Sequence, residues 1–149
     1  MNVVNHIGLC VTDLDRSRRF YEALGFSFRN ELSPPDGLTG QLLQVEAPAL
    51  TAVYLTLGTF VLELLAFDRD NPPYRERVMN EPGLTHLSLG VPDLAEAVAV
   101  VEANGGSVVD GTDVGLAVMV RDPDGQLIEL LPTGDRRRPP AATPGPTPG

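Results

Sequence analysis

Cysteine and long apolar runs are both scarce in this sequence. Cys10 is the only cysteine among 149 residues, so no disulfide can form within the chain. No apolar run approaches the roughly 18 to 20 residues that a membrane-spanning helix needs. The first six residues lack the basic start and apolar core of a signal peptide. We therefore expect a cytoplasmic protein without a membrane partner, in which Cys10 is a small core residue.

Basic residues are also few. Eleven lysines and arginines stand against 20 aspartates and glutamates, which gives a formal net charge of −9. Proteins that bind nucleic acid normally present a basic stripe. The one dense basic cluster here, residues 136–138, begins a Pro- and Gly-rich stretch. We therefore expect no nucleic-acid partner, and we predict that residues 133–149 form a disordered tail.

An internal repeat divides the chain into two halves. The segment from His6 to Leu14 matches the segment from His86 to Leu94 at an offset of 80, with His, Leu, Val, Asp and Leu identical. Residues 61–65 match residues 127–131 at an offset of 66. Because the second offset is shorter, the first half must contain a longer connection, which we place in residues 33–49.

Each half is predicted to run as strand, helix and three further strands, an α+β fold. In the first half the predicted elements are a helix over 16–24, capped by Asp13, and strands over 3–11, 26–32, 50–57 and 60–67. In the second half they are a helix after Asp93, ending near Gly105, and strands over 84–91, 107–110, 116–121 and 126–131. The expected single domain spans residues 1–132, with module 1 over about 3–67 and module 2 over about 84–132. A short helix over 72–80 and a turn over 122–125 complete the prediction.

Four polar residues stand at matching positions of the repeat. His6 and His86, the only histidines, each open an apolar strand, and Glu63 and Glu129 each interrupt one. A lone histidine of this kind is usually a satisfied core residue, but a buried carboxylate is costly unless it is paired or binds a metal. If a pseudo-two-fold axis relates the halves, the four side chains converge near it. Two imidazoles and two carboxylates suit one divalent ion, which could be Zn, Ni, Co, Mn or Fe.

The repeated His-x-x-Leu-x-Val-x-Asp-Leu, the Asp-Pro-Asp-Gly turn and the Ile-Glu-Leu strand resemble the vicinal-oxygen-chelate superfamily. Its members include glyoxalase I, methylmalonyl-CoA epimerase, extradiol dioxygenases and bleomycin-resistance proteins. The resemblance covers residues 3–132. It implies two tandem βαβββ modules that form a curved, barrel-like mixed sheet around a metal site, with His6, Glu63, His86 and Glu129 as ligands. It also implies a homodimer, with each site either within one chain or shared across a swapped dimer.

The ligand set is most similar to that of glyoxalase I and the epimerases. The resemblance therefore implies a lyase or isomerase that acts on a small carbonyl or thioester compound. In such enzymes a carboxylate removes a proton beside the carbonyl, and the metal stabilises the resulting enediolate or enolate. Glu129 is the favoured base and Glu63 the other candidate. Tyr54, Tyr74 and Arg121 are candidate substrate contacts.

Two other functions stay open. An extradiol-type dioxygenase would bind Fe(II) through His6, His86 and Glu129, and Glu63 would then be an additional ligand. A bleomycin-resistance-like protein would bind a drug or metabolite without catalysis, although such proteins typically lack the metal ligands.

Overall fold

Both halves of the chain form the same succession of elements. The computed structural model describes residues 1–35, 38–45, 49–68, 72, 75–76 and 78–134. The first half contains β1 (Ile7–Cys10), α1 (Leu14–Ala23), β2 (Ser27–Leu32), a short α2 (Leu38–Leu43), β3 (Leu50–Leu57) and β4 (Phe60–Phe67). The second half contains β5 (Leu87–Val91), α3 (Leu94–Ala103), β6 (Ser107–Val108), β7 (Val118–Arg121) and β8 (Leu127–Pro132). The predicted α+β fold of two βαβββ modules is confirmed.

Each module folds into its own four-stranded mixed sheet. The strand orders are β1-β4-β3-β2 and β5-β8-β7-β6. In each sheet the first strand runs parallel to the last, and the other neighbours are antiparallel. The registers repeat as well, since Gly8 pairs with Glu63 and Ser88 pairs with Glu129. The strands of one chain form two separate sheets, so they do not close into one barrel.

Aspartates begin both long helices. The Asp13 side chain accepts a hydrogen bond from the backbone N–H of Arg16, and Asp93 accepts one from Glu96. These bonds satisfy backbone donors that a helix N-terminus leaves unpaired. Helix α1 therefore begins directly after its cap, two residues earlier than predicted. It ends where Gly25 adopts a φ of 97°, which a residue without a Cβ tolerates.

One hydrophobic core joins the two modules. Phe20 and Tyr21 of α1 are fully buried, and their rings meet edge to face at a centroid distance of 5.1 Å. Helix α1 contacts α3 of the other module. Gly106 lies at this junction, where an added Cβ would lie 2.7 Å from the Phe20 ring and 2.5 Å from the Arg121 carbonyl oxygen. The modules of one chain thus contact through helices and core side chains rather than through strand pairing.

The core prediction for Cys10 is wrong. Cys10 is exposed, because side chains alternate along β1 and it shares the open face with Gly8 while Leu9 packs against the core. The first strand also begins later than predicted. It starts at Ile7, and Val3 and Val4 before it are exposed.

The connecting segments differ from prediction as well. The connection over 33–49 contains helix α2, which the sequence analysis did not predict. No helix is present at the described residues of the 72–80 segment, and its other residues lie outside the described part. The predicted tail from residue 135 onward also lies outside it. In the described ranges, no helix has the length and apolar character needed to cross a membrane.

Candidate metal centre

The first histidine and glutamate form a close pair on the sheet of module 1. His6 immediately precedes β1, and Glu63 lies on β4 opposite Gly8. The Nε2 atom of His6 is 3.1 Å from Oε2 of Glu63. A Cβ at Gly8 would lie 3.4 Å from the same oxygen, which is ordinary van der Waals contact. Glu63 is buried and His6 is about one-third exposed.

The second pair occupies the same position in module 2, but it is wider and its glutamate is more exposed. His86 Nε2 lies 3.8 Å from Glu129 Oε2. The side chain of Glu129 is 29% exposed, compared with 11% for Glu63. Ser88, which replaces Gly8 in the repeat, donates a hydrogen bond of 2.7 Å to Oε2 of Glu129.

The residue before each histidine orients its ring. Asn5 Oδ1 lies 2.7 Å from Nδ1 of His6, and Thr85 Oγ1 lies 2.8 Å from Nδ1 of His86. When Nδ1–H donates to these oxygens, the lone pair of Nε2 faces the carboxylate, as a metal-binding imidazole requires. Asn5 and Thr85 were not predicted as part of the site, although a polar residue precedes each histidine of the repeat.

Tyr54 distinguishes the first pair from the second. It lies on β3 directly opposite Glu63, and its hydroxyl donates a hydrogen bond to Oε1 of Glu63. The pKa of Tyr54 is raised to about 12, mainly by this hydrogen bond and further by burial and the charge of Glu63. The Tyr54 ring also meets the His6 ring edge-on at 5.7 Å. In module 2, Met119 takes the place opposite Glu129.

Each pair has the chemistry of two neighbouring metal ligands, and the first pair also has their spacing. Two ligand atoms at about 2.0 to 2.2 Å from one ion, at an angle of roughly 90 to 110°, lie about 2.8 to 3.6 Å apart. The first pair fits this range, and the second fits after a small movement of the exposed Glu129. Nevertheless, no group of three or more possible ligands gathers within the part of the chain that the structure describes. The four residues thus form two pairs, one on each sheet, and their expected convergence is not seen within one chain among the described residues.

The other candidate residues lie in different surroundings. Tyr54 contacts Glu63, as described above, and Tyr74 lies outside the described residues. Arg121 donates to the carbonyl oxygen of Gly125 at 3.0 Å and forms an ion pair with Glu76. It lines a cavity of about 150 Å³ together with Arg75 and Thr85.

The turn between β7 and β8 anchors module 2 to helix α1. Asp124 accepts hydrogen bonds from Thr12 and, at 2.6 Å, from Nη2 of Arg16. Burial opposes ionisation of Asp124, but these bonds and the Arg16 charge outweigh it and lower its pKa. Asp122 accepts a 2.9 Å bond from the Tyr21 hydroxyl, and burial raises the pKa of Asp122. The sequence predicted only a turn here.

Solved structures share this architecture. A glyoxalase-family protein from Bacillus cereus superposes with a TM-score of 0.73 at 18% identity, covering 88% of this chain and 95% of its own. The trypanothione-dependent glyoxalase I of Leishmania major gives a TM-score of 0.64 at 28% identity, covering 89% of this chain and 87% of its own. The E126Q mutant of the fosfomycin resistance protein FosX from Listeria monocytogenes, complexed with Mn(II) and a dihydroxypropylphosphonic acid, gives 0.62 at 16% identity, covering 88% and 92%.

Comparisons of sequence are consistent with the structural ones. A search of curated proteins finds no match. The family model described as the Glyoxalase/Bleomycin resistance protein/Dioxygenase superfamily matches residues 3–130, which include both modules and both His/Glu pairs. The chain therefore belongs to the Glyoxalase/Bleomycin resistance protein/Dioxygenase superfamily.

Proposed function

We propose that this protein is a divalent-metal-dependent lyase or isomerase of the glyoxalase or epimerase type, acting on a small carbonyl or thioester compound. The observation that carries the proposal is the pair of matching His/Glu sets, each with a carboxylate oxygen beside an oriented imidazole nitrogen. The manganese bound in the FosX complex shows that a protein of the same fold can hold a divalent ion.

The metal site is proposed to form between two copies of the chain. His6 and Glu63 of one protomer would meet His86 and Glu129 of its partner, because one chain supplies two separate pairs. Both histidines are about one-third exposed, so a second copy can approach them. A two-fold axis would then create two equivalent four-ligand sites, which is the usual symmetry of a homodimer.

The two glutamates are proposed to have different tasks. A bound divalent ion supplies Lewis-acid stabilisation of the negative charge that develops on substrate oxygens. Glu129 is the more exposed carboxylate, and among the described residues only Ser88 hydrogen-bonds to it. Glu129 is therefore the base that takes the proton beside the substrate carbonyl and returns it. Glu63, which is buried and bonded to Tyr54, holds its position.

The experiment that tests this function measures metal-dependent exchange of substrate C–H protons in D₂O over a panel of 2-oxo hemithioacetals and acyl thioesters. We expect exchange by the metal-loaded protein, and its loss in Glu129→Gln while the bound metal is retained. Glu22→Gln is the matched control, because Glu22 pairs with Arg18 on helix α1. Full exchange in Glu129→Gln would refute the assignment of the base. Ligand binding that survives complete metal removal, without exchange, would favour a binding protein.

A further inference from the structure

The two halves of the proposed metal centre hold their glutamates through different oxygens. In module 1, Tyr54 donates to Oε1 of Glu63, and the other oxygen, Oε2, faces His6. In module 2, Ser88 donates to Oε2 of Glu129, the same oxygen that lies nearest His86. Tyr54 therefore bonds to the oxygen that does not face its histidine, whereas Ser88 bonds to the oxygen that lies nearest its histidine.

We propose that Tyr54 is a positioning residue that fixes Glu63 as a permanent metal ligand and thereby leaves the proton transfer to Glu129. This inference rests on the proposed function. It assigns different roles to two glutamates that the repeat makes equivalent.

The geometry supports this role for Tyr54. Tyr54 and Glu63 are direct cross-strand neighbours on β3 and β4, so the hydroxyl acts across a rigid sheet rather than from a loop. A hydrogen bond at Oε1 restricts rotation of the carboxylate and keeps Oε2 directed at His6. The edge-on contact between the Tyr54 and His6 rings holds the second ligand of the pair as well.

The matching position in module 2 cannot do the same. Met119 lies opposite Glu129 and has no hydrogen-bond donor in its side chain. Glu129 therefore lacks a donor to its carboxylate at this position of β7, and it is also the more exposed of the two glutamates. Residues that hold metal ligands in place typically contribute about 10- to 100-fold to metal affinity. We expect a contribution of that size from Tyr54 and little from Met119.

The test compares Tyr54→Phe with Tyr21→Phe. Both substitutions remove a tyrosine hydroxyl that donates to a carboxylate, but Tyr21 bonds to Asp122 at the module junction. Co(II) is titrated into the full-length apoprotein, and the dissociation constant, the visible absorption spectrum and the apoprotein melting temperature are recorded. For Tyr54→Phe we expect about 10- to 100-fold weaker Co(II) binding and an altered spectrum, with little change in melting temperature. Tyr21→Phe should lower the melting temperature and leave the Co(II) affinity and spectrum unchanged.

A second pair of variants guards against misfolding. Tyr54→Gln and Tyr54→Leu both lose the aromatic ring, but only glutamine supplies a hydrogen-bond donor for Glu63. Co(II) should therefore bind more tightly to Tyr54→Gln than to Tyr54→Leu. Wild-type affinity and spectrum in Tyr54→Phe, or equal affinities in the Gln and Leu variants, would overturn the role of Tyr54 alone. Absence of Co(II) binding by the wild-type protein would overturn the proposed function and this inference together.

Discussion

An imidazole that binds a metal through Nε2 has to direct its other nitrogen at a hydrogen-bond acceptor. In this chain Nδ1 of each histidine lies within hydrogen-bond distance of the preceding side chain, Asn5 for His6 and Thr85 for His86, and each side chain has an oxygen that can accept. Each partner is adjacent to its histidine in the sequence, so the contact does not depend on a distant part of the fold. These contacts explain how two exposed segments before β1 and β5 can present ligands in a fixed orientation.

Replacement of these acceptors should weaken metal binding. In Asn5→Ala and Thr85→Val the histidine ring loses its Nδ1 partner, and we expect about 10- to 100-fold lower metal affinity in each. The measurement is a competition titration with a chromophoric chelator. Asn2→Ala, in the same exposed N-terminal segment, should bind metal as the wild type does. Unchanged affinity in both variants would show that the rings need no such orientation.

The residues of the candidate centre were only partly predictable. The repeat identified His6, Glu63, His86 and Glu129 because equal positions in two halves stand out in a sequence. The hydroxyl partners, Tyr54 and Ser88, could not be assigned, since their contacts depend on the register between strands that are distant in sequence. One residue of slip would turn each to the other face.

Among the elements, the β7–β8 turn and helix α1 hold the modules together. Asp124 joins them through Thr12 and Arg16. Because the pKa of Asp124 is lowered in the folded protein, its ionised form stabilises the fold at pH values above its unfolded pKa. That contribution must decline as the pH falls through the folded pKa of this carboxyl group.

The variant Asp124→Asn tests this junction. At pH 7 it should lower the free energy of unfolding by about 1.5 to 3 kcal/mol, the usual contribution of a hydrogen bond to a charged group. The deficit should be smaller at pH 3, which lies below the unfolded pKa of about 3.9, because the contribution of the carboxylate declines as the pH falls towards its lowered folded pKa. Urea denaturation at pH 7 and at pH 3 measures the free energy of unfolding of both proteins. Asp110→Asn, an exposed acid in the same module, should show no such loss. A deficit that is independent of pH would contradict the account.

Gly106 tests the packing of the helices at the same junction. A Cβ there would lie within 2.7 Å of the Phe20 ring and Val101, and 2.5 Å from a backbone carbonyl oxygen. We expect Gly106→Ala to destabilise the fold by about 1 to 3 kcal/mol, as overpacking of a core does. Thermal denaturation measures the effect. At Gly134 an added Cβ meets no atom within 4 Å, so Gly134→Ala is the control. Equal melting temperatures for Gly106→Ala and Gly134→Ala would show that the junction accommodates the added methyl group without loss of stability.

Most elements were predictable, and the exceptions have physical causes. The strand predicted over 60–67 has those bounds, because an apolar run interrupted only by Glu63 follows the turn at residues 58–59. Helix α2 has only six residues, too few for a helical period to appear. The first strand was predicted too long because Val3 and Val4 are apolar, yet they extend beyond the sheet and remain exposed.

At the scale of the whole molecule, the sequence predicted two modules but not how they meet. Contact between helices α1 and α3 accompanies the burial of Phe20 and Tyr21, and the two sheets share no paired strands. How the modules meet depends on which apolar surfaces pack together. The repeat allows contact either through helix faces or through pairing of strand edges, and the sequence does not distinguish the two. The arrangement separates the two His/Glu pairs of one chain. It is the reason that we propose a site shared between protomers.

The measurement that tests the shared site most directly is the metal content of a mixed dimer. His6→Ala and His86→Ala chains, carrying different affinity tags, are coexpressed and the dimer that holds both is isolated. A site shared between protomers gives this dimer one intact centre and one that lacks both histidines. We predict about half of the wild-type metal content and exchange activity, with both mutant homodimers well below that. Metal content no higher than that of the homodimers would place each site within a single chain and contradict the account.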